Sequence, residues 1–188
     1  MSIVEFINDN FDNKNTIEIV FYGGSFNPWH EGHTACIKLA PKDLPLIVLP
    51  DNNPHKKINK HKELNLTSLK AHLEKTKEKV WLYSGLYETQ KPTPTIDWLK
   101  VLVQAFPDTH FSLLMGHDSF INLTHWKNSR ELLEILSAIY IVAREDDETL
   151  NQEKKIEYQM ISPRLKMFFL GNHEFEHINS TNIREKAR

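Results

Sequence analysis

The chain has 188 residues, a length that suits one domain with a proper hydrophobic core. Apolar residues make up 40% of the sequence and charged residues 26%, proportions that exclude a disordered, collagenous or fibrous protein. The net charge is −2, from 23 basic and 25 acidic residues in no long basic block, so we expect no nucleic acid polymer as a partner.

The cysteine content and the N-terminal residues predict the cellular setting. Cys36 is the single cysteine, which excludes an internal disulfide and favours a reducing cytoplasm. Residues 1–15 lack the basic flank and apolar core of a signal peptide, and no run of about eighteen apolar residues predicts a membrane span. We predict a single cytoplasmic domain over residues 1–188, in which residues 1–15 form a loose arm or an extra helical turn.

Hydrophobic patterning predicts strands that alternate with helices. Short apolar or β-branched runs indicate strands at 17–22, 46–49, 80–83, 111–115, 139–143 and 165–171. Apolar residues spaced three and four apart indicate helices at 34–40, 60–79, 95–106 and 131–136, and the charged segment 145–155 suits a loop or a helix. This alternation predicts a doubly wound, Rossmann-like α/β domain, whose parallel sheet is covered by helices on both faces.

The stretch from Gly23 to His33 carries the strongest chemical signal. It reads Gly-Gly-Ser-Phe-Asn-Pro-Trp-His-Glu-Gly-His and lies between the first predicted strand and the first predicted helix. The two glycines allow a sharp turn and a close approach of a ligand, and the N–H groups at a helix start favour a phosphate. If the helix has begun by Glu31, His30 and His33 point to one side and can donate to one phosphate chain.

Other interpretations of this stretch fail on spacing. It lacks the Gly-Lys-Ser/Thr ending of a Walker A loop and the Gly-x-Gly-x-x-Gly spacing of a dinucleotide fingerprint. His-Glu-Gly-His is one residue shorter than the zinc-protease motif, whose histidine ligands are four apart. His173 and His177 have that spacing but no third ligand nearby, so we predict no metal site. A strand, turn and helix with surface histidines remains the structural alternative.

Further candidate ligand residues follow predicted strands or begin predicted helices, where open α/β sheets bind ligands. Asp118 can accept from a ribose hydroxyl or cap the next short helix, and Thr95 can cap its helix or contact a ligand. Trp126 lies in a polar loop and can be a core residue or a stacking surface. The candidates are Pro54-His55-Lys56, Thr95, Gly116, Asp118, Trp126, Arg144, Ser180, Thr181 and Arg184.

These motifs, taken in chain order, resemble the bacterial nicotinate-nucleotide adenylyltransferases over nearly the whole chain. The stretch Gly23–His33 fills each position of the nucleotidyltransferase pattern Gly-Gly-[Ser/Thr]-Phe-[Asp/Asn]-Pro-x-His-x-Gly-His. Pro-His-Lys, the Thr-x-Asp helix start and the spacing from Gly-x-Asp to Trp point to the pyridine-nucleotide branch. The resemblance implies transfer of AMP from ATP to nicotinate mononucleotide, with release of pyrophosphate and formation of deamido-NAD. It also implies that Mg²⁺ accompanies ATP, bound mainly by the triphosphate and water.

The resemblance also implies a role for each matching residue. His33, His30 and Arg184 look like the catalytic residues that hold the ATP phosphates. The residues that look like ATP contacts are Gly23, Gly24, Ser25, Phe26, His30, His33, Gly116, Asp118, Ser180, Thr181 and Arg184. Those that look like mononucleotide contacts are Gly24, Ser25, His55, Lys56, Thr95, Trp126 and Arg144.

The chain departs from the family pattern at four positions. Asn179, Pro94, Trp98 and His117 stand where the family usually has Ser, Tyr, Thr and a small residue. These changes leave nicotinamide mononucleotide open as the acceptor. Another phosphorylated acceptor, such as phosphopantetheine, is a further alternative, against which the Trp126 and Thr95 motifs argue. An alternative of another class is a non-catalytic nucleotide-binding regulator, against which the intact motif histidines argue.

Overall fold

The computed structural model describes residues 1–12, 17–51, 62–89, 91–142 and 148–175, together with positions 178 and 183. Within this part of the chain, no helix is both long enough and apolar enough to cross a membrane. The strands are β1 (Glu18–Gly24), β2 (Leu46–Pro50), β3 (Val80–Leu82), β4 (His110–Gly116), β5 (Ala138–Val142) and β6 (Lys166–Phe169). The helices are α1 (Ile3–Asn10), α2 (Glu31–Leu39), α3 (Lys62–Thr76), α4 (Gly85–Glu88), α5 (Thr95–Ala105), α6 (His117–Ile121), α7 (Ser129–Ile135) and α8 (Glu148–Ile161), with a 3-10 helix at Leu123–His125.

All neighbouring strands are parallel, in the order β3-β2-β1-β4-β5-β6. The chain moves outward from β1 through β2 to β3, then returns to the other side of β1 with β4. Tyr22 of β1 lies beside Leu114 of β4, so both strands end at the same edge of the sheet. The predicted doubly wound α/β fold is confirmed. Such sheets bind ligands outside the carboxyl ends of the strands where the order reverses, here β1 and β4.

Alternate strand residues contribute to two hydrophobic clusters, one on each face of the sheet. Ile19 and Phe21 of β1 belong to a first cluster with residues of α1 and α4–α8. Val20 and Tyr22 belong to a second cluster with residues of α2 and α3. Every residue of β2 and β5 is buried, as expected for strands with helices on both sides. The helices therefore hold the carboxyl ends of the strands in fixed register.

Several boundaries differ from the sequence prediction. Gly23 and Gly24 are the last residues of β1 and pair with β2, whereas the sequence predicts a turn there. The chain turns only after them, where the peptide bond between Asn27 and Pro28 is cis. Helix α2 begins at Glu31, three residues before the predicted start, which satisfies the condition for pairing the two motif histidines. The charged segment after β5 contributes to helix α8.

Residues 1–12 contain a packed helix, α1, in place of a loose arm. Ser2 and Glu5 form a capping box: the Glu5 N–H donates to Ser2 Oγ at 3.2 Å, and the Ser2 N–H donates to the Glu5 carboxylate at 2.7 Å. Phe6 is buried in the first cluster with its ring centroid 5.2 Å from that of Tyr83. An eight-residue helix is too short to be stable alone, so this burial is what holds α1 in place.

We predict that Phe6→Ala lowers the free energy of unfolding by about 3–5 kcal/mol, because it removes a buried ring and leaves a cavity. Chemical denaturation of the whole chain measures this change. Asp9→Ala, on the exposed side of α1, is the matched control and should stay within about 0.5 kcal/mol. Equal stability of the two variants would contradict the packing of α1 against the sheet.

Candidate active site

The carboxyl ends of β1 and β4 leave open space beside two glycines. Apart from its chain neighbours, a Cβ built on Gly23 or on Gly116 would meet no atom of the described residues within 4 Å. Neither glycine has the positive φ that would require glycine for conformational reasons. Among the described residues, nothing in the fold therefore demands a glycine at either position. A close approach of a ligand to the backbone is a physical reason for the missing side chain at Gly23, and at Gly116 it adds to the preference of the N-cap position of α6 for glycine.

Phe26, two residues after the end of β1, packs in the second cluster next to this crevice. Its side chain is 4% exposed and packs in the second cluster, 5.2 Å from the ring of Tyr22. A Cβ on Gly24 would lie 3.0 Å from the Phe26 ring, so a larger residue there would force this ring to shift by a few tenths of an ångström. Ser25 is half-buried between them in the chain. The ring of Phe26 thus belongs to the core, and only its backbone is left for the predicted contact with ATP.

His30 and His33 lie together at the start of α2. The backbone N–H of His30 donates to Nδ1 of His33 at 3.2 Å, and the two rings stack with centroids 3.7 Å apart. Because Nδ1 of His33 accepts this bond, its neutral imidazole carries the proton on Nε2. A Cβ on Gly32 would lie 3.0 Å from Nδ1 of His30. The glycine between the histidines therefore allows the His30 ring to lie over the first turn.

Aromatic side chains surround the ring of His33. The centroids of Trp29 and Phe26 lie 5.0 Å and 5.1 Å from that of His33. Trp29 is 4% exposed, and its indole N–H donates to the hydroxyl of Thr34 at 3.0 Å. This packing holds the imidazole in one orientation. The sequence analysis assigns Trp29 no role, although an aromatic residue at the variable position of the motif was a usable signal.

The environment of His30 favours its neutral form. Burial, with a smaller contribution from the neighbouring His173, lowers the pKa of His30 from 6.5 to about 4, and Glu31 opposes the shift. Its buried Nδ1 has no hydrogen-bond partner among the described residues. At neutral pH, His30 is therefore an uncharged imidazole that still carries one N–H donor.

His173 is a neighbour of this pair that the sequence analysis dismissed. It lies after β6 in a segment that crosses α2, where the carbonyl oxygen of Phe175 would be 3.5 Å from a Cβ on Gly32. The N–H of Phe175 donates to Nδ1 of His173 at 3.1 Å, so a neutral His173 carries its proton on Nε2. In the described part of the chain, no group of three or more His, Cys, Asp or Glu residues could hold a metal ion.

An ion pair connects the segments that carry Thr95 and Trp126. Lys127 Nζ donates to both carboxylate oxygens of Asp97, at 3.0 and 2.9 Å, so the loop of Trp126 is tied to the first turn of α5. The N-cap of α5 is Pro94, which provides no side-chain cap, so the possible capping role of Thr95 is wrong. Trp126 is half-buried and packs against the first cluster, which leaves part of its surface exposed.

Asp118 and two departures from the family pattern occupy different environments. Asp118 is exposed in the first turn of α6, whose N-cap is Gly116, so Asp118 does not cap this helix. Trp98 is 9% exposed and presents its ring to Phe21 at a centroid distance of 4.9 Å. His117 is also buried. Trp98 and His117 are therefore core residues.

Some predicted site residues lie outside the part of the chain that the structure describes. For these the assigned roles stay predictions. They are His55, Lys56, Arg144, Ser180, Thr181 and Arg184, and the departure at Asn179 lies there too.

Comparison with known proteins identifies the family. Residues 21–186 match the cytidylyltransferase-like family, which is most of the chain. The chain belongs to this family. Its crevice at β1 and β4, with the stacked histidines of α2, lies inside the matched region.

Relatives within the family carry the name predicted from the motifs. A protein of Fusobacterium nucleatum named probable nicotinate-nucleotide adenylyltransferase is 31% identical over 92% of this chain and 88% of its own length. One of Chlorobium phaeobacteroides with the same name is 32% identical over 75% of each chain. Plasmodium falciparum nicotinic acid mononucleotide adenylyltransferase, solved in complex with NaAD, has a TM-score of 0.67 at 20% identity, covering 89% of this chain and 82% of its own. The predicted family resemblance is confirmed by the relatives, and the predicted fold by the solved structure.

We predict that His30 titrates near pH 4 in an NMR pH titration of the protein without ligand. Since its pKa is about 6.5 in an unfolded chain, the unfolded state binds the proton first, and the contribution of His30 to stability falls as pH drops from about 6.5 toward 4. His173→Gln should raise the pKa of His30 yet leave it below 6.5, because burial is the larger cause.

The exposed neighbour Glu174 provides the control for this titration. Glu174→Gln should leave the pKa of His30 where it is in the unmodified protein. An unchanged His30 pKa in His173→Gln would contradict the proximity of the two imidazoles.

Proposed function

We propose that this protein is a nicotinate-nucleotide adenylyltransferase that transfers AMP from ATP to nicotinate mononucleotide and produces deamido-NAD and pyrophosphate. The observation that carries the proposal is the stacked pair of His30 and His33 on the first turn of α2, beside the open crevice at Gly23 and Gly116. The family membership and the names of the relatives support it.

We assign the ATP phosphates to the start of α2. This nine-residue helix offers backbone N–H groups and the positive end of its dipole, both of which favour an anion. His33 is the third residue of this helix, and aromatic side chains pack around its ring. Its Nε2–H is the donor that we place nearest the transferred group. His30 adds a second donor to the same phosphate chain. By resemblance, Ser180, Thr181 and Arg184 supply the remaining hydroxyls and the positive charge.

The reaction requires no nucleophile from the protein. A phosphate oxygen of nicotinate mononucleotide forms the new bond to the α-phosphorus of ATP, and the bond from that phosphorus to the pyrophosphate oxygen breaks. The protein has to align two polyanions and stabilise the charge that develops on the leaving pyrophosphate. Imidazole donors and helix N-termini, which cost no reorganisation during the reaction, perform these tasks.

We assign the pyridine ring to the region between Trp126 and the start of α5. The partly exposed face of Trp126 offers an aromatic surface, and the eleven-residue α5 begins at Thr95 without a side-chain cap on its N–H groups. Such N–H groups favour a carboxylate over a carboxamide, which is uncharged and presents a donor as well as an acceptor. By resemblance, the remaining mononucleotide contacts come from Gly24, Ser25, His55, Lys56 and Arg144.

In this proposal Mg²⁺ enters the site with ATP. Mg²⁺ in proteins keeps several waters and binds substrate phosphates, and the described residues contain no cluster that would hold it by themselves. When bound, it neutralises part of the phosphate charge. The ribose contacts that we assign to Gly116 and Asp118 need no metal.

We also propose one nucleotidyltransferase domain over residues 1–188 and a location in the cytoplasm. Helix α1 packs into the same hydrophobic cluster as the strands of the matched region, which supports a single domain. Cys36 is a free thiol, and burial raises its pKa to about 11, so it is present mainly as an unreactive thiol. A buried thiol of this kind is compatible with a reducing compartment.

We predict pyrophosphate release from ATP and Mg²⁺ with nicotinate mononucleotide, at a kcat/KM roughly tenfold or more above that with nicotinamide mononucleotide, as one charge-assisted hydrogen bond would give. A coupled pyrophosphate assay measures both substrates, and phosphopantetheine is tested beside them. His33→Ala should lower turnover by about a hundredfold or more, because a transition-state donor is lost.

The other outcomes of this assay distinguish the alternatives. A preference for the amide would refute the assignment of the pyridine site, and activity with phosphopantetheine alone would replace the acceptor. Binding of ATP without turnover of any acceptor would indicate the non-catalytic regulator.

We predict that Gly116→Ala preserves the fold but abolishes most ATP binding. The new methyl group meets no atom of the described residues within 4 Å, apart from its chain neighbours, and so costs little stability, yet it fills the space that we assign to the nucleotide. Calorimetric titration with ATP and a thermal melt measure the two effects. Gly85→Ala is the converse control, because its Cβ would collide with the ring of Tyr83 and should lower the melting temperature without changing ATP affinity. Normal ATP affinity in Gly116→Ala would sink the assignment of this crevice.

A further inference from the structure

His117 and Asn151 form a buried polar pair next to the residues that we assign to the ribose. Their exposed fractions are 4% and 6%, and Nε2 of His117 lies 2.9 Å from Oδ1 of Asn151. Because an amide oxygen only accepts, the ring nitrogen donates and carries the proton. His117 stands in the chain between Gly116 and Asp118, so the bond connects α8 to the first turn of α6.

Helix α6 depends on such contacts for its orientation. It has five residues and no side-chain cap, and a helix of this length has little stability of its own. Two buried hydrogen bonds connect α8 to α6. Asn151 holds the first residue of α6, and the hydroxyl of Tyr158 donates to the carbonyl oxygen of Phe120 near its end, at 2.5 Å. Positions 151 and 158 lie two turns apart on the same face of α8.

A buried polar pair at this place gives no more stability than apolar residues would give at the same two positions. Phe120 and Leu123, which follow His117 in the chain, are buried apolar residues of the first cluster. Two apolar residues of similar shape would stabilise the core about as well, whereas the loss of one polar partner leaves the other unsatisfied. The hydrogen bond fixes the orientation of the His117 ring, because its geometry allows the ring only a narrow range of positions relative to α8.

We propose that His117 is a positioning residue for ATP, with Asn151 as its anchor. The bond holds the first turn of α6 so that the carboxylate of Asp118 and the backbone of Gly116 meet the ribose. This inference rests on the proposed function, in which those two residues contact ATP. A displacement of about 1 Å at a binding group can cost roughly a hundredfold in activity, so a loosened first turn has a measurable effect.

Steady-state kinetics of Asn151→Leu tests the proposal. The leucine fills the volume but accepts no hydrogen bond, so we expect KM for ATP to rise roughly tenfold while KM for nicotinate mononucleotide stays within about twofold. Asn151→Asp retains an acceptor oxygen and should restore KM for ATP. An equal rise of both KM values, or no rise in a folded Asn151→Leu protein, would overturn the proposal.

Two further variants separate positioning from stability. Tyr158→Phe removes the hydrogen bonds from the Tyr158 hydroxyl to the carbonyl oxygens of Phe120 and Ile121, at the end of α6 remote from Asp118, and should lower the melting temperature without changing KM for ATP. The double variant His117→Leu/Asn151→Leu removes both members of the hydrogen bond between them, so it should be more stable than Asn151→Leu alone, even if that single variant does not fold. Its KM for ATP should remain raised. A normal KM for ATP in the stable double variant would show that the pair is only structural.

Direct binding distinguishes failure of this inference from failure of the proposed function. If the unmodified protein releases no pyrophosphate with any acceptor, the proposed reaction is wrong, and the dissociation constant for ATP replaces KM in the same set of variants. A roughly tenfold weaker ATP affinity in Asn151→Leu and in the double variant would still support positioning. Unchanged affinity, or no ATP binding by the unmodified protein, would refute it.

Discussion

The reversal of strand order between β1 and β4 is the constraint on which the candidate site depends. It places the ends of two buried parallel strands side by side with no crossover connection between them, so a crevice opens at that edge. Both strands finish in glycine, and Gly23 and Gly116 each leave space where a side chain would be. Helices α2 and α6 follow those two strand ends. A single feature of topology therefore gathers residues that lie far apart in the chain.

The second requirement is close packing at the start of α2. Gly32 lets the His30 ring lie over the helix, because a Cβ there would lie only 3.0 Å from Nδ1 of His30. The segment after β6, which carries His173 and Phe175, passes close to the same glycine, and a Cβ there would be in ordinary contact with the carbonyl oxygen of Phe175 at 3.5 Å. The aromatic residues around His33 then hold its ring from the other side. The motif histidines are thus oriented by apolar packing on one side and by their own stacking on the other.

Local pattern and tertiary contact explain which features were predictable. Buried parallel strands are apolar runs, so β2 was predicted almost to the residue, and the motif histidines needed only the helical period once α2 began at Glu31. The glycine turn was misplaced because Gly24 is held in β1 by pairing with β2, which no local pattern reports. The proximity of His173 to His30 and the packing of α1 on Tyr83 likewise join elements that are far apart in the sequence, so no local pattern could predict them.

A neutral His30 suits a site that alternates between empty and polyanion-bound states. Its ring stacks on His33 at 3.7 Å, where two positive imidazoles would repel each other in a desolvated place, and burial keeps its pKa near 4. A phosphate chain brought against the pair favours the protonated form, so binding takes up a proton when His30 becomes charged. Part of the electrostatic attraction offsets this protonation cost. In the proposed reaction this protonation cost weakens the binding of pyrophosphate as well as that of ATP, so the product leaves more readily and the proton is released with it.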